Sequence, residues 1–73
     1  MKEQTMKRVV LRIAEHNHGR VSIEYINAKN EYSRRTVQVS GWNDSQFWGL
    51  CELRREERVF RFDRLVFAGK PKN

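Results

Sequence analysis

The sequence predicts a mostly β fold, a small barrel of four to five antiparallel strands preceded by one amphipathic helix. Three observations indicate this fold. Apolar residues first recur at helical spacing, then alternate with polar residues after Gly19, and turn-forming residues follow at short intervals. Because 73 residues can bury only one small core, we expect a single domain over residues 1–73.

The N-terminal helix is predicted over about residues 3–17. Its apolar stripe consists of Met6, Val9, Val10, Ile13 and Ala14. Gly19 can adopt the left-handed conformation that commonly follows a helix, so the helix should end between His16 and Gly19. We expect this helix to cover one open side of the barrel.

The barrel is predicted over about residues 20–67, followed by a frayed tail over residues 69–73. Val21, Ile23 and Tyr25 alternate with polar residues, as in a half-buried strand. A turn at residues 27–30 ends this first strand. The later strands are predicted over about residues 32–40, 46–54, 58–63 and 64–67.

The charge of the chain indicates an anionic partner. Lys and Arg number 15 against 9 Asp and Glu, a formal charge of +6. Such a balance suits a nucleic acid, an anionic small molecule, a membrane surface or an acidic protein. The arginines lie within the predicted helix and barrel, which suggests that they form a binding site. The lysines lie near the ends and in a turn, which suggests that they keep the chain soluble.

Cysteine content and hydropathy restrict the compartment. Cys51 is the only cysteine, so no intrachain disulfide is possible. No apolar run reaches the roughly 18 residues needed to cross a bilayer. We therefore expect a cytoplasmic protein with no membrane partner.

Residues 53–65 contain five arginines. Arg58 and Arg64 share strand parity with Phe60 and Phe62, so we expect these arginines to flank a buried aromatic pair at the rim of the barrel. Forked guanidinium groups held on strands can bind phosphates or carboxylates. The bland alternative is a solvated strand face partly neutralised by neighbouring carboxylates.

Two further groups of side chains leave alternatives open. Arg35 shares parity with core valines and must find either an anion or a carboxylate, for which Asp63 is the obvious candidate. Trp48, like the other rings of residues 42–48, could stack on bases or fill the core. His16 and His18 lack the further donors that zinc requires, and we expect neither metal nor cofactor.

Residues 14–25, 33–37 and 50–65 resemble the WYL domain, a small SH3-like (Sm-like) barrel found in bacterial regulators. The strongest part runs from Leu50 to Leu65, which is similar to the family's Tyr-Cys-x-Leu-Arg-x-x-x-Arg-x-Phe-Arg-hydrophobic-Asp-Arg-Ile pattern. Two positions depart from the family. Ser45-Gln46-Phe47 stands where the Trp-Tyr-Leu triplet would, and Val39 stands where a proline is usual.

The resemblance implies a sensing module that binds ligands or single-stranded nucleic acid. Such modules are usually attached to a helix-turn-helix regulator, a helicase or a CRISPR-associated protein. The positions that it implies for the binding groove are Tyr25, Arg35, Arg54, Arg58 and Arg64, with Cys51 close by and Arg61 as a further member.

We interpret the chain as a nucleic-acid-binding or ligand-sensing regulatory module, and we expect its partner to be single-stranded DNA or RNA. A receptor for a small phosphorylated nucleotide and a module that binds an acidic peptide are the alternatives. No pair of carboxylates or metal constellation suggests catalysis, so we do not expect an enzyme.

Overall fold

The structure, a computed structural model, describes residues 2–72 and contains one helix followed by five antiparallel strands in one sheet. This confirms the predicted fold class. The elements are α1 (Lys2–His16), β1 (Arg20–Ile26), β2 (Tyr32–Trp42), β3 (Gln46–Cys51), β4 (Glu56–Arg61), a 3-10 turn (Phe62–Arg64) and β5 (Leu65–Gly69).

The sheet curls strongly. Its strand order is β4-β3-β2-β1-β5, so β4 and β5 lie at opposite edges although only a three-residue 3-10 turn separates them in the chain. Four steps across a flat sheet would cover about 19 Å, whereas three residues of 3-10 helix rise only about 6 Å. The curling also brings Tyr25 of β1 against Phe60 of β4, with ring centroids 5.1 Å apart.

The helix ends as its sequence predicts. The amide of Gly19 donates to the carbonyl of Ala14 at 2.7 Å, and Gly19 has a φ of 87°. This left-handed residue is the type of C-terminal cap that glycine favours. It reverses the chain directly into β1.

One apolar core lies between the helix and the concave face of the sheet. The rings of Phe47, Phe60 and Phe62 stack in series, with centroid separations of 5.3 and 5.1 Å. Helix residues on the predicted apolar stripe pack against this cluster. The fully or nearly fully buried members of the cluster are Val10, Val21, Ile23, Val37, Phe47, Phe60, Phe62 and Ala68.

The strand ends differ from the predicted ones near the turn that joins β3 and β4. β3 ends at Cys51 rather than near residue 54, and β4 begins at Glu56. Arg55 adopts a left-handed φ of 57° and its amide donates to the carbonyl of Cys51 at 2.7 Å, which closes the turn early. β5 continues to Gly69, a residue that we expected in the tail.

Within the described residues, α1 is too short and too polar to cross a membrane.

Candidate anion-binding site

Seven residues form a closed circuit on the concave face where it opens to solvent, and we call this circuit the rim. Directly paired residues on neighbouring strands point to the same face, as do alternate residues of one strand. The rim consists of Tyr25, Ser33, Arg35, Cys51, Glu56, Arg58 and Phe60.

Each step around the rim is a contact, a pairing between strands, or an alternation along one strand. Tyr25 pairs with Ser33 across β1 and β2, and the Arg35 Nε donates to the Ser33 hydroxyl at 3.3 Å. The Arg35 guanidinium also reaches the Cys51 sulfur, 3.3 Å away.

The circuit closes along β4. Cys51 pairs with Glu56, whose carboxylate is 3.3 Å from the Arg58 guanidinium. Phe60 follows Arg58 on the same face and packs edge-on against Tyr25. Four of the eight predicted site residues therefore lie in one circuit.

Arg35 is the residue of the rim with an unneutralised charge. Its side chain is half-buried, yet no carboxylate lies within ion-pairing distance of it among residues 5–72, whose side chains the structure describes. Of the two alternatives left open for Arg35, the pairing with Asp63 does not form, because Arg61 binds Asp63 through two hydrogen bonds of 2.9 and 2.8 Å. A partly desolvated guanidinium without a counterion favours binding of an external anion.

Cys51 lies behind Arg35 as a buried acceptor. Burial of its thiol opposes ionisation, but hydrogen bonds from the Arg35 guanidinium and from the amides of Arg54 and Leu53 outweigh this effect, and the pKa of Cys51 is lowered. The Cys51 sulfur therefore helps to hold the Arg35 guanidinium in place.

Arg58 has a partner that it can exchange. Its ion pair with Glu56 is exposed, with side-chain exposures of 41% for Arg58 and 54% for Glu56. Exposed pairs of this type contribute only about 0–1 kcal/mol to stability. A phosphate can therefore replace the Glu56 carboxylate at small cost.

The other predicted arginines lie outside the rim. Arg61 points to the opposite face and is bound to Asp63, although its amide donates to the Tyr25 hydroxyl at 3.2 Å. Arg64 donates to the Asn27 carbonyl at 3.1 Å and so ties the 3-10 turn to the first hairpin. Arg54 is exposed in the turn directly after Cys51, beside the rim.

Trp48 also lies away from the rim. It alternates with the buried residues Phe47 and Gly49, so it faces the convex side of the sheet. A Cβ on Gly41 would come within 2.7 Å of the Trp48 ring, which shows that the indole lies over this glycine. Of the three rings in residues 42–48, only Phe47 is a core residue, since Trp42 is exposed.

The structure contains a second candidate site, a cleft that was not expected from the sequence. A cleft of about 640 Å³ lies on the convex side of β1, β2 and β5, and we call it the outer cleft. Arg34, Phe67, Lys70 and Lys72 border it together with Arg35. The lysines lie in the segment that we interpreted as a frayed, solubilising tail. The one signal in the sequence was Phe67, whose place in the alternation of β5 puts its ring on the convex side, next to these lysines.

The chain was compared with known proteins. No family model and no curated protein sequence matches it. Among solved structures it is similar to proteasome accessory factor B/C (PafBC) of Arthrobacter aurescens, with a TM-score of 0.62 and 19% identity over 89% of this chain. The chain spans 11% of that protein. At this level of identity, the likeness shows a shared fold.

Proposed function

We propose that the chain is a nucleic-acid-binding or ligand-sensing regulatory module that binds single-stranded DNA or RNA at the rim. The half-buried, uncompensated guanidinium of Arg35 is the observation that carries the proposal. A phosphate supplies the charge that Arg35 lacks, and the backbone of a single strand supplies phosphates in series.

Binding would begin with electrostatic capture. Arg35 and Arg58 lie on the same face of the sheet and can each donate forked hydrogen bonds to phosphate oxygens. Arg54 adds charge beside them, and Tyr25 supplies a ring for contact with a base. The role is one of binding, and we propose no catalytic step.

The fold that this chain shares with part of proteasome accessory factor B/C supports a role as an accessory module. Because this chain corresponds to a small part of that protein, we further propose that it acts within or beside a larger cytoplasmic regulator. Binding at the rim would then favour one arrangement of the module relative to its neighbours.

The test is a titration of fluorescein-labelled oligothymidylate followed by anisotropy at several salt concentrations. We expect affinity to fall as salt rises, with a log–log slope of about −0.7 for each phosphate contact. Arg35→Ala should weaken binding by about 1.5–3 kcal/mol, the value of a charge-assisted hydrogen bond. Arg35→Lys should recover only part of this loss, because lysine keeps the charge but not the fork.

Arg12→Ala is the matched control, since Arg12 is an exposed arginine on the helix. Equal losses for Arg12→Ala and Arg35→Ala would mean diffuse attraction and would contradict a site at the rim. Competition by a mononucleotide as strong as that by the oligonucleotide would instead indicate a nucleotide receptor. An acidic peptide that alone competes would indicate a protein partner.

A further inference from the structure

The outer cleft combines positive charge with apolar surface. Arg34, Arg35, Lys70 and Lys72 border it, and two carboxylates, Glu24 and Glu52, also lie on its wall. The apolar surface comes from Leu53 and Phe67, which are 74% and 52% exposed. This combination suits a ligand with both an anionic and a flat apolar part.

Both carboxylates of the outer cleft already have partners. Glu52 accepts two hydrogen bonds from Arg20, at 2.6 and 3.0 Å, and this pairing lowers the pKa of Glu52. Glu24 accepts from the Tyr32 hydroxyl at 2.8 Å and lies 3.5 Å from Arg34. In contrast, Lys70 and Lys72 have no ion-pair partner within the described part of the chain, so the cleft keeps a positive potential.

The ring of Phe67 is positioned by its neighbour on the strand. Phe67 and Gly69 alternate on β5, and a Cβ on Gly69 would come within 2.8 Å of the Phe67 ring. The ring therefore lies over the glycine, and about half of the residue stays exposed at the cleft. A flat ring held in this way is a platform on which a nucleobase can stack.

We propose that the outer cleft binds a nucleotide unit of the same strand that the rim binds. Its base stacks on Phe67, and its phosphate contacts Lys70 and Lys72. The inference rests on the proposed function and deepens it, because Arg35 belongs to the rim and also borders the outer cleft. Because Cys51, the last residue of β3, pairs with Val37, β2 is an open edge at Arg35, and a strand that leaves the rim past Arg35 can turn around this edge into the cleft.

The experiment measures affinity as a function of strand length. Oligothymidylates from about 3 to about 12 nucleotides span the site sizes of small single-strand-binding barrels. The shortest should occupy the rim alone, and longer ones should gain affinity through the cleft. Phe67→Ala should weaken binding of the longest strand by roughly 5- to 150-fold, the equivalent of one stacked base, and leave the shortest unchanged.

Val66→Ala is the matched control, because Val66 is the preceding residue of β5 and is 58% exposed. Gly69→Ala keeps the Phe67 ring but forces it to move, so it should also weaken binding of the long strand. The double variant Lys70→Ala and Lys72→Ala should reduce the salt slope for the long strand by about 0.7, because both lysines contact the same phosphate. Lys29→Ala, in the first hairpin turn, controls for loss of charge.

The outcomes separate this inference from the proposed function. If the wild-type chain binds long strands but Phe67→Ala and Gly69→Ala behave as Val66→Ala does, the outer cleft is not part of the path and the rim site stands. If thymidine 5′-monophosphate binds the cleft while strand length has no effect, the site takes free nucleotides and the continuous path is refuted. If no strand binds at low salt, both proposals are refuted.

Discussion

The substitution Gly49→Ala tests how closely β2 and β3 approach beneath the rim. Gly49 is buried, and it pairs with Val39 of β2 on one side and with Arg58 of β4 on the other. A Cβ at this position would overlap the carbonyl oxygen of Gln38, and it would also lie 2.8 Å from the carbonyl carbon of Gln38 and 2.9 Å from the Cα of Val39. These atoms are backbone, so no side-chain rotation can relieve the overlap.

The cost follows from the movement required. Ordinary contact begins near 3.4 Å, so the two strands must separate by more than half an ångström to clear the Gln38 carbonyl, which lengthens the hydrogen bonds of the ladder. Overpacking typically costs about 1–3 kcal/mol of stability. Alanine offsets about 0.5–1 kcal/mol of this cost, because it loses less conformational entropy on folding than a glycine within a strand. We expect a net loss of at least about 2 kcal/mol, because the overlap is with backbone atoms that cannot rotate away.

Thermal and urea unfolding measure this loss. A loss of about 2 kcal/mol should lower the Tm by about 8–16 °C in a domain of this length, whose total stability is about 4–11 kcal/mol. Gly41→Ala is the control, since its Cβ would meet only the Trp48 indole, a side chain that can swing outward. Equal losses for the two variants, or an unchanged Tm for Gly49→Ala, would refute the reasoning.

The remaining predictions concern charge. Arg58→Ala should weaken single-strand binding by about 1.5–3 kcal/mol in anisotropy titrations with an unchanged Tm, whereas Arg61→Ala should cost less than about 1 kcal/mol because Arg61 is committed to Asp63. The hydrogen bond from Arg20 lowers the pKa of Glu52, so this pair stabilises the fold above the ordinary carboxyl pKa of about 4.3. That stability disappears as the pH falls through the lowered pKa of Glu52. The urea midpoints of wild type and Glu52→Gln should therefore converge in acid. A difference between the two midpoints that stays constant with pH would contradict this linkage.

The fold could be predicted because its signals are local. The change of apolar period at Gly19 and the parity of Phe60 identify the helix end and the buried face of β4 without knowledge of the rest of the chain. The strand ends near residue 54 could not be predicted in the same way. They depend on the left-handed conformation of Arg55, a conformation that arginine rarely adopts and that sequence does not indicate.

The candidate site was harder to predict because it depends on pairing between distant segments. Parity indicates that Arg35 points to the concave face, but not that its neighbour there is Cys51 rather than Asp63. Asp63 lies two residues from Arg61, and a forked pair forms over this short separation in the 3-10 turn. A local partner at high effective concentration outcompetes a distant one.

This competition ranks the arginines for function. Arg61 has a bidentate carboxylate, and an external phosphate must displace it. Arg58 has an exposed, single-contact carboxylate that is displaced easily. Arg35 contacts the Ser33 hydroxyl and the Cys51 sulfur rather than a carboxylate, so an anion that binds there has no carboxylate to displace. Arg35 belongs to the rim and also borders the outer cleft. A continuous strand that binds both surfaces would therefore pass Arg35, the guanidinium that has the most to gain from an anion.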